Sequence, residues 1–410
     1  MIPPTRAVVV TGAGVICALG DRVASVHEAL CDGRTGLGPS TLLAPDVTAG
    51  HDVAEIRDFN PRSYLGTRSV GSLDRTGRLA ATGVELALAD SGWSIELRNA
   101  HALGLVLGTM FCSVKTIGEF DRRAQSAGVE YASPMDFANT VLNAAAGQVA
   151  IWHRLRGVNT TIAAGSVSGL HAIGYATDLI RRGRADVIVA GGAEELCFES
   201  FHGFRRAGVL ASGGNGASGC SVPFDARRSG AALGEAAAFV VLEAEEVAAA
   251  RGARVIGRIQ GFAAGYDARQ DAERSDGGNA LSDVIRRALH ERRLPSSEIG
   301  AVISSASGSR VLDAREASGI GCGIGGATPV TALKSMLGET LGASGALQAI
   351  VALQSLQTRR LPGIAGLEQP DPAIELPLVA PGAQPIRTSH ALVTAMAREG
   401  NCCALVVGLA

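Results

Sequence analysis

The chain alternates short, wholly apolar runs with segments of helical periodicity, and this alternation restricts the folds open to it. Runs such as AVVVTG (7–12), GLVLGT (104–109) and DVIVAGG (186–192) are apolar at consecutive positions, so both faces of each predicted strand must be covered. Strands of this kind occur in parallel or mixed sheets that carry helices on both sides. The sequence therefore predicts an α/β architecture.

The same order of elements occurs twice along the chain. Residues 83–109 read as a helix, a polar loop and a buried strand, and residues 284–307 repeat this order at similar spacing. Residues 165–192 begin with a turn of small residues that leads into an apolar helix, and residues 342–364 resemble them. A duplicated unit is the simplest explanation of both pairs.

We place the junction of the two units near residue 250, which predicts an N-terminal half at 1–251 and a C-terminal half at 252–410. A chain of 410 residues is long enough to bury a sizeable core in each half. Hydrophobic residues make up 47% of the chain and charged residues 19%, a balance typical of compact globular proteins rather than of disordered ones.

Charge and hydropathy exclude several classes of function. The formal net charge is only -2 and no basic run occurs, which argues against binding to nucleic acid or to a membrane surface. The apolar N-terminal stretch is too short to span a membrane and lacks a signal-peptide cleavage pattern. None of the eight cysteines forms a CxxC pair, so we expect buried thiols and no metal site. These features predict a cytoplasmic protein.

The segment TTIAAGSVSGLHAIG (160–174) has the form of a nucleophile site, because small residues lead to Ser166 and an apolar helix follows. Ser166 could act in acyl transfer, although the centre of GSVSG is Val167, so the segment is not a G-x-S-x-G elbow. The alternative is a small polar residue that caps the first N–H groups of the helix. These residues alone leave both interpretations open.

Further stretches carry a resemblance to a known family. They are VVVTGAGVICALG (8–20), HAIGYATDLIRRGRADVIVAGGAE (171–194), PFDARRSGAALGEAAAFVVLEAEEVAAARGA (223–253), ALKSMLGETLGASGALQAI (332–350) and LPGIAGLEQPDP (361–372). Together they resemble the β-ketoacyl synthases of the thiolase superfamily over essentially the whole chain. The resemblance implies a thiolase-like fold: two duplicated ααβαβ-type halves whose mixed sheets are stacked in a five-layered arrangement. It also implies a dimer formed through the edge strands of the sheets.

Active members of that family join acyl units with a cysteine at the start of a buried helix, two histidines and a lysine. Matched motif by motif, the cysteine position is Ser166, the histidine positions are Ser307 and Glu339, and the lysine is kept as Lys334. A serine hydroxyl needs an adjacent base, and a carboxylate opposes the negative charge of an enolate. The glycine-rich gate of the family is also replaced, by residues 392–403. We therefore expect a catalytically inactive subunit of a synthase complex.

Other charged residues near these motifs have structural interpretations. Lys334 is either a relic of the catalytic cluster or the partner of Glu339 or Glu235 in a buried ion pair. We expect Asp313 and Glu316 to lie at the solvent-exposed start of a helix rather than in the site.

A synthase fold without its catalytic residues resembles the chain length factor, or ketosynthase β subunit, of bacterial type II polyketide synthases. This resemblance implies a heterodimer with a catalytic ketosynthase α subunit and an acyl chain delivered on the phosphopantetheine of an acyl carrier protein, with no cofactor of its own. It also implies that the chain shapes the acyl tunnel. We expect four residues near the start of one helix to line that tunnel: Phe111, Ser113, Thr116 and Phe120. Dimer contacts are expected from residues 133–157.

Many subunits of this kind carry glutamine at the nucleophile position, where this chain has Ser166. The departure leaves room for a polyene-forming branch of these systems. It also leaves room for two other functions: a Ser166-dependent acyl-carrier-protein transacylase, and a purely structural partner of a ketosynthase.

Overall fold

The computed structural model describes residues 6–66, 70–212, 219–268 and 279–410. Its strands are β1 (Val8–Cys17), β2 (Gly104–Gly108), β3 (Asn159–Ile162), β4 (Val187–Glu194), β5 (Ala236–Ala244), β6 (Gly257–Tyr266), β7 (Ile299–Ser304), β8 (Val330–Ala332), β9 (Arg360–Leu361), β10 (Gln384–Pro385), β11 (His390–Met396) and β12 (Asn401–Gly408). Its α-helices are α1 (Val23–Cys31), α2 (Pro45–Thr48), α3 (Arg62–Leu65), α4 (Arg75–Ser91), α5 (Ile95–Ala100), α6 (Val114–Ala127), α7 (Pro134–Phe137), α8 (Ala144–His153), α9 (Ser168–Arg181), α10 (Phe198–Arg206), α11 (Glu245–Ala250), α12 (Asn279–His290), α13 (Arg310–Ile324), α14 (Lys334–Leu337) and α15 (Ser344–Thr358).

The large sheet is built from two halves with the same strand order. Its strands run β3-β2-β4-β5-β1-β6-β12-β11-β7-β8, so the second half repeats the first when each is read outward from the β1–β6 contact. In both halves the two outer pairings are parallel and the two inner ones antiparallel. This repetition confirms the predicted α/β duplication. The predicted boundary at residue 251 lies in the loop between α11 and β6.

Only two residue pairs join the halves through β1 and β6, and each half-sheet is covered on both faces. In β4, Ile188 and Ala190 face the central core while Val189 faces an outer core that includes α4 and α8. In β7, Ile303 faces the central core and Val302 faces an outer core that includes α12 and α13. Because both faces of β4 and β7 are buried, most of their positions are apolar.

Helices α9 and α15 occupy the middle of the molecule, between the two half-sheets. A Cβ atom added at Gly169 would lie 2.5 Å from the carbonyl oxygen of Gly342, and one at Gly345 would lie 2.5 Å from the Cβ atom of Leu170. The small residues that open both repeats are therefore required for the close approach of the two helices. Together with the outer helices, this arrangement gives the five layers of the thiolase-like fold.

Strand β3 forms one edge of the sheet, and exposed apolar side chains are concentrated in the segments around it. The large exposed apolar residues of the region are Ile117, Val129, Tyr131, Phe137, Val141, Leu142 and Ile151. Ile151 is 81% exposed and Val129 is 79% exposed. None of the helices in the described part of the chain combines the length and the apolar character needed to cross a bilayer.

Candidate functional site

Ser166, Ser307 and Glu339, which match the catalytic positions of the resembled family, lie in one pocket. The empty space of this pocket is about 640 Å³. Its lining includes Met110 and Met396, together with residues from the loops that precede α9 and α13. Positions far apart in the sequence therefore converge, as a shared site requires.

Ser166 lies in the turn that precedes α9, two residues before the helix begins. Its hydroxyl donates a hydrogen bond to the carbonyl oxygen of Met396 (3.3 Å). The first residue outside the helix is Val167, and no side chain caps the helix start. Of the two interpretations of Ser166, the helix cap is therefore wrong, because Ser166 lies one residue before the N-cap position.

The turn around Ser166 is held by a different serine. The hydroxyl of Ser168 accepts a hydrogen bond from the N–H of Ala164 (2.8 Å) and donates one to the carbonyl oxygen of Gly165 (2.6 Å). Gly165 has a φ of +70°, a conformation that favours glycine. Ser166 is thus presented to the pocket by its neighbours and is not needed to hold the turn.

Ser307 is buried in the loop between β7 and α13, and Asp313 holds this loop. One carboxylate oxygen of Asp313 accepts from the N–H of Ser307 (3.0 Å), and the other accepts from the N–H groups of Gly308 and Phe224 (both 3.1 Å). Burial raises the pKa of Asp313 to about 6, although these hydrogen bonds and the nearby Arg228 lower it. The expectation of an exposed Asp313 is wrong, because the first turn of α13 is covered by loops that supply donors.

Glu339 forms a buried ion pair with Lys334. The Lys334 ammonium donates to one carboxylate oxygen of Glu339 (2.6 Å). The other oxygen accepts from the N–H of Leu341 (2.9 Å) and the hydroxyl of Ser344 (2.7 Å). Glu235, the other partner considered for Lys334, is instead paired with an arginine of α4. Lys334 therefore neutralises the carboxylate of Glu339.

Glu316 lines the pocket and is fully buried, so the expectation that it lies at an exposed helix start is also wrong. One of its carboxyl oxygens accepts from the N–H and the hydroxyl of Ser305 (2.8 and 3.0 Å) and from the hydroxyl of Thr394 (2.6 Å). Burial raises the pKa of Glu316 to about 7, while these bonds and the charge of Lys334 lower it. Asp313 and Glu316 are three residues apart on α13, so their carboxyls lie on one face of the helix. This spacing is the sequence feature that could have indicated that both are buried together.

Glu316 makes the stability of the protein depend on pH. Its pKa is about 7 in the folded state and near 4.5 when the chain is unfolded, so the native state binds more protons between these values. The free energy of unfolding is therefore highest below this window and falls as the pH rises through it. We expect Glu316→Gln to reduce this slope by up to about 1.4 kcal/mol per pH unit, because glutamine keeps one acceptor oxygen and does not titrate. Urea unfolding between pH 5 and 8 measures the slope, with the exposed Glu130→Gln as the control. An unchanged slope in Glu316→Gln would contradict the assignment.

The position of the family's glycine-rich gate is taken by the tight hairpin between β11 and β12. Ala397 and Gly400 close its turn through a hydrogen bond from N–H to carbonyl (3.1 Å), and Gly400 has a φ of +104°. Arg398 and Glu399 project from this turn into the pocket lining. A Cβ atom added at Gly165 would lie 2.8 Å from a carboxylate oxygen of Glu399. The hairpin therefore places a carboxylate directly beside the turn that carries Ser166.

Phe111 and Ser113, two of the predicted tunnel residues, precede α6 rather than lie within it, because the helix begins at Val114. Phe111 packs edge-on against Phe204, with ring centroids 6.0 Å apart. Ser113 is the residue directly before the helix and is buried. Ser113 therefore adjoins the first turn of α6, whereas Phe111 belongs to the preceding loop.

Thr116 and Phe120, the other two predicted tunnel residues, lie in α6 and are half-buried. The Thr116 hydroxyl donates to a carboxylate oxygen of Asp74 (3.4 Å), and Phe120 packs against Phe137 at 5.9 Å. Among the described residues that line the Ser166 pocket, none belongs to the predicted tunnel set. Phe111 is next to the pocket, because it packs against Phe204 of its lining, but it does not line the pocket itself.

Comparison with known proteins gives a consistent result. Residues 5–248 match the β-ketoacyl synthase N-terminal domain, and residues 256–368 match the β-ketoacyl synthase C-terminal domain. The chain is 30% identical to 3-oxoacyl-[acyl-carrier-protein] synthase 2 of Vibrio cholerae, over 91% of this chain and 92% of that protein. It is 29% identical to the tetracenomycin polyketide synthase ketoacyl synthase alpha subunit of Streptomyces glaucescens, over 91% and 90%. Among solved structures, the ishigamide ketosynthase/chain length factor matches with a TM-score of 0.91 and 26% identity, over 99% of this chain and 100% of that one.

Proposed function

Because the chain belongs to the β-ketoacyl synthase family and has a fold like that of type II polyketide ketosynthases, we propose that it is a non-catalytic chain length factor. In this role it forms a heterodimer with a cysteine-bearing ketosynthase α subunit. The α subunit carries out the condensation of acyl units delivered on the phosphopantetheine of an acyl carrier protein, and this chain shapes the tunnel that holds the product. The observation that carries the proposal is the chemistry of the pocket at Ser166, Ser307 and Glu339.

That pocket lacks the groups that a condensation needs. The Ser166 hydroxyl donates a hydrogen bond to a backbone carbonyl oxygen, which cannot act as a base at neutral pH. Glu339 is neutralised by Lys334, and its oxygens are occupied by other donors. Glu399 adds a carboxylate beside the turn of Ser166, and Arg398 of the same hairpin also lines the pocket, so the hairpin supplies no net positive charge to stabilise an enolate. The same contacts argue against a Ser166-dependent transacylase.

The exposed apolar surface around β3 supports a protein partner. The stretch of chain between β2 and β3 carries several strongly exposed apolar side chains, among them Ile151 and Val129, and such a surface is typical of contact with another protein. The edge strand β3 offers unpaired backbone groups beside them. The name of the ishigamide structure joins a ketosynthase with a chain length factor, which supports a ketosynthase as the partner proposed for this chain.

A change in tunnel depth tests this function against a purely structural role. In the heterodimer we expect Thr116→Trp to shorten the product by one or more two-carbon units, because a larger side chain on α6 stops the growing chain earlier. Mass spectrometry of the products made from malonyl-carrier protein measures the length. Glu119→Trp, exposed on the same helix, is the matched control and should leave the product unchanged. An unchanged product from an intact Thr116→Trp heterodimer would favour the structural role.

A further inference from the structure

Glu195 is a buried carboxyl with no role in the proposed function described above. It directly follows β4 and is 2% exposed, and neither of its carboxyl oxygens has a hydrogen-bond partner among the described residues. Buried polar groups in folded proteins are nearly always hydrogen-bonded, since water has been removed from them at a cost. A buried carboxyl with two unsatisfied oxygens therefore indicates a group that forms its hydrogen bonds with a bound ligand.

The adjacent Glu194 shows what a structural carboxyl looks like at this place. Its oxygens accept from the N–H groups of Met110 (2.6 Å), Phe111 (2.9 Å) and Cys112 (3.0 Å). These bonds tie the end of β4 to the loop that leads into α6. Glu195 makes no comparable bond to the described residues, so holding this loop does not explain it.

The surroundings of Glu195 favour its neutral form. Burial raises the pKa of Glu195 well above its usual range, and the carboxylates of Asp74, Glu194 and Glu235 raise it further, whereas Lys115 lowers it. The guanidinium of Arg75 is paired with Glu235 (2.8 Å). A protonated carboxyl offers one O–H donor and one carbonyl acceptor.

Hydrogen bonds of the residues on either side place Glu195 near the start of α6, because Glu194 accepts from the N–H of Cys112 (3.0 Å) and the N–H of Leu196 donates to Glu235 (3.1 Å). Lys115 lies in the first turn of α6, and Asp74 accepts the hydrogen bond of Thr116 from it. The segment that follows Glu195 also packs against α6. A Cβ atom added at Gly118 of that helix would lie 2.9 Å from a carboxylate oxygen of Glu199. Glu195 is therefore next to the part of α6 that the proposed function assigns to the tunnel wall.

We propose that Glu195 is a specificity-determining residue, whose carboxyl hydrogen-bonds to a carbonyl or hydroxyl oxygen of the growing acyl chain at the depth of Thr116. This inference rests on the proposed chain-length function. It assigns to the tunnel a substrate class that retains oxygen at this depth. A hydrocarbon segment at the same place would leave the carboxyl unsatisfied, and sites built to hydrogen-bond a substrate reject analogues that lack the polar group.

Two substitutions in the heterodimer test the proposal. Glu195→Gln keeps a donor and an acceptor, and we expect the yield of the wild-type product to stay within about twofold. Glu195→Leu removes both, and we expect that yield to fall by roughly tenfold or more. Gel filtration and the melting temperature establish that each heterodimer is intact, and Glu119→Leu on the exposed face of α6 is the control.

A binding measurement on the unmodified heterodimer does not depend on how the variants fold. We expect a β-ketoacyl pantetheine to compete with the substrate roughly tenfold better than a saturated acyl pantetheine of equal length, with its oxygen placed at this depth. Equal competition, or full yield from Glu195→Leu, would overturn the role of Glu195. If Thr116→Trp still shortened the product, the chain-length function would stand without a role for Glu195. If neither Thr116→Trp nor Glu195→Leu changed the product, the chain-length function would fail as well.

Discussion

In a heterodimer of this chain with a cysteine-bearing ketosynthase, alanine in place of the partner's nucleophilic cysteine should abolish condensation, whereas Ser166→Ala should leave turnover within about twofold. Loss of a nucleophile lowers turnover by a factor on the order of 1,000 or more. Ser166→Ala should not lower turnover in this way, because the Ser166 hydroxyl is hydrogen-bonded to the carbonyl oxygen of Met396 and not to a base. Release of carbon dioxide from malonyl-carrier protein measures both variants in the same assay.

The single chain provides the control for this asymmetry. Purified alone, neither the wild type nor Ser166→Cys should condense malonyl-carrier protein, because a thiol at this position still lacks the two histidines that the resemblance places at 307 and 339 to stabilise the developing negative charge. Condensation by the isolated wild-type chain would contradict the proposal. An acyl adduct detected by intact mass, and lost in Ser166→Ala, would instead favour the transacylase.

The parts of this fold that could be predicted from sequence are those that local chemistry controls. A strand buried on both faces must be apolar throughout, so the runs at β2 and β4 are visible in the sequence, and their repetition revealed the two halves. The ion pair of Lys334 and Glu339 was one of two pairings considered, and it joins residues of a single motif.

The remaining features depend on contacts between distant parts of the chain. Asp313 and Glu316 resemble ordinary acidic residues of a first helical turn, and only tertiary structure supplies their partners, such as Thr394 and Phe224. The unsatisfied carboxyl of Glu195 has no sequence signature, since the preceding glutamate is identical in type and fully bonded. Burial rather than residue type separates these cases.

The pair of Lys334 and Glu339 also has a structural role. Glu339 also holds the chain through its backbone, since its N–H donates to the carbonyl oxygen of Ala232 (2.7 Å) and its carbonyl oxygen accepts from the N–H of Gly234 (3.0 Å). These bonds connect the start of β5 to the segment before α15. A substitution that unbalances the buried charges is therefore expected to weaken the contact between the two halves.

The last prediction compares the only two lysines of the chain. We expect Lys334→Met to lower the free energy of unfolding by about 3–5 kcal/mol, because it leaves the carboxylate of Glu339 buried without its cation. The side chains of this pair are 6% and 11% exposed. Lys115→Met removes a lysine that is 53% exposed and 3.9 Å from Glu119, and solvent screening limits its effect to less than about 1 kcal/mol. Urea unfolding of the two variants measures the difference.

A double variant distinguishes the destabilising effect of an unpaired charge from that of a simple loss of packing. Lys334→Met combined with Glu339→Leu removes both charges, and replacing a buried ion pair with apolar side chains of similar volume is often neutral or stabilising. The hydrogen bonds to Leu341 and Ser344 are lost with the carboxylate, so we expect the double variant to recover most, but not all, of the stability that Lys334→Met loses. A double variant no more stable than Lys334→Met would mean that the lysine acts through its packing. In that case the carboxylate at 339 would be tolerated without its cation, and charge balance would not be what stabilises this part of the protein.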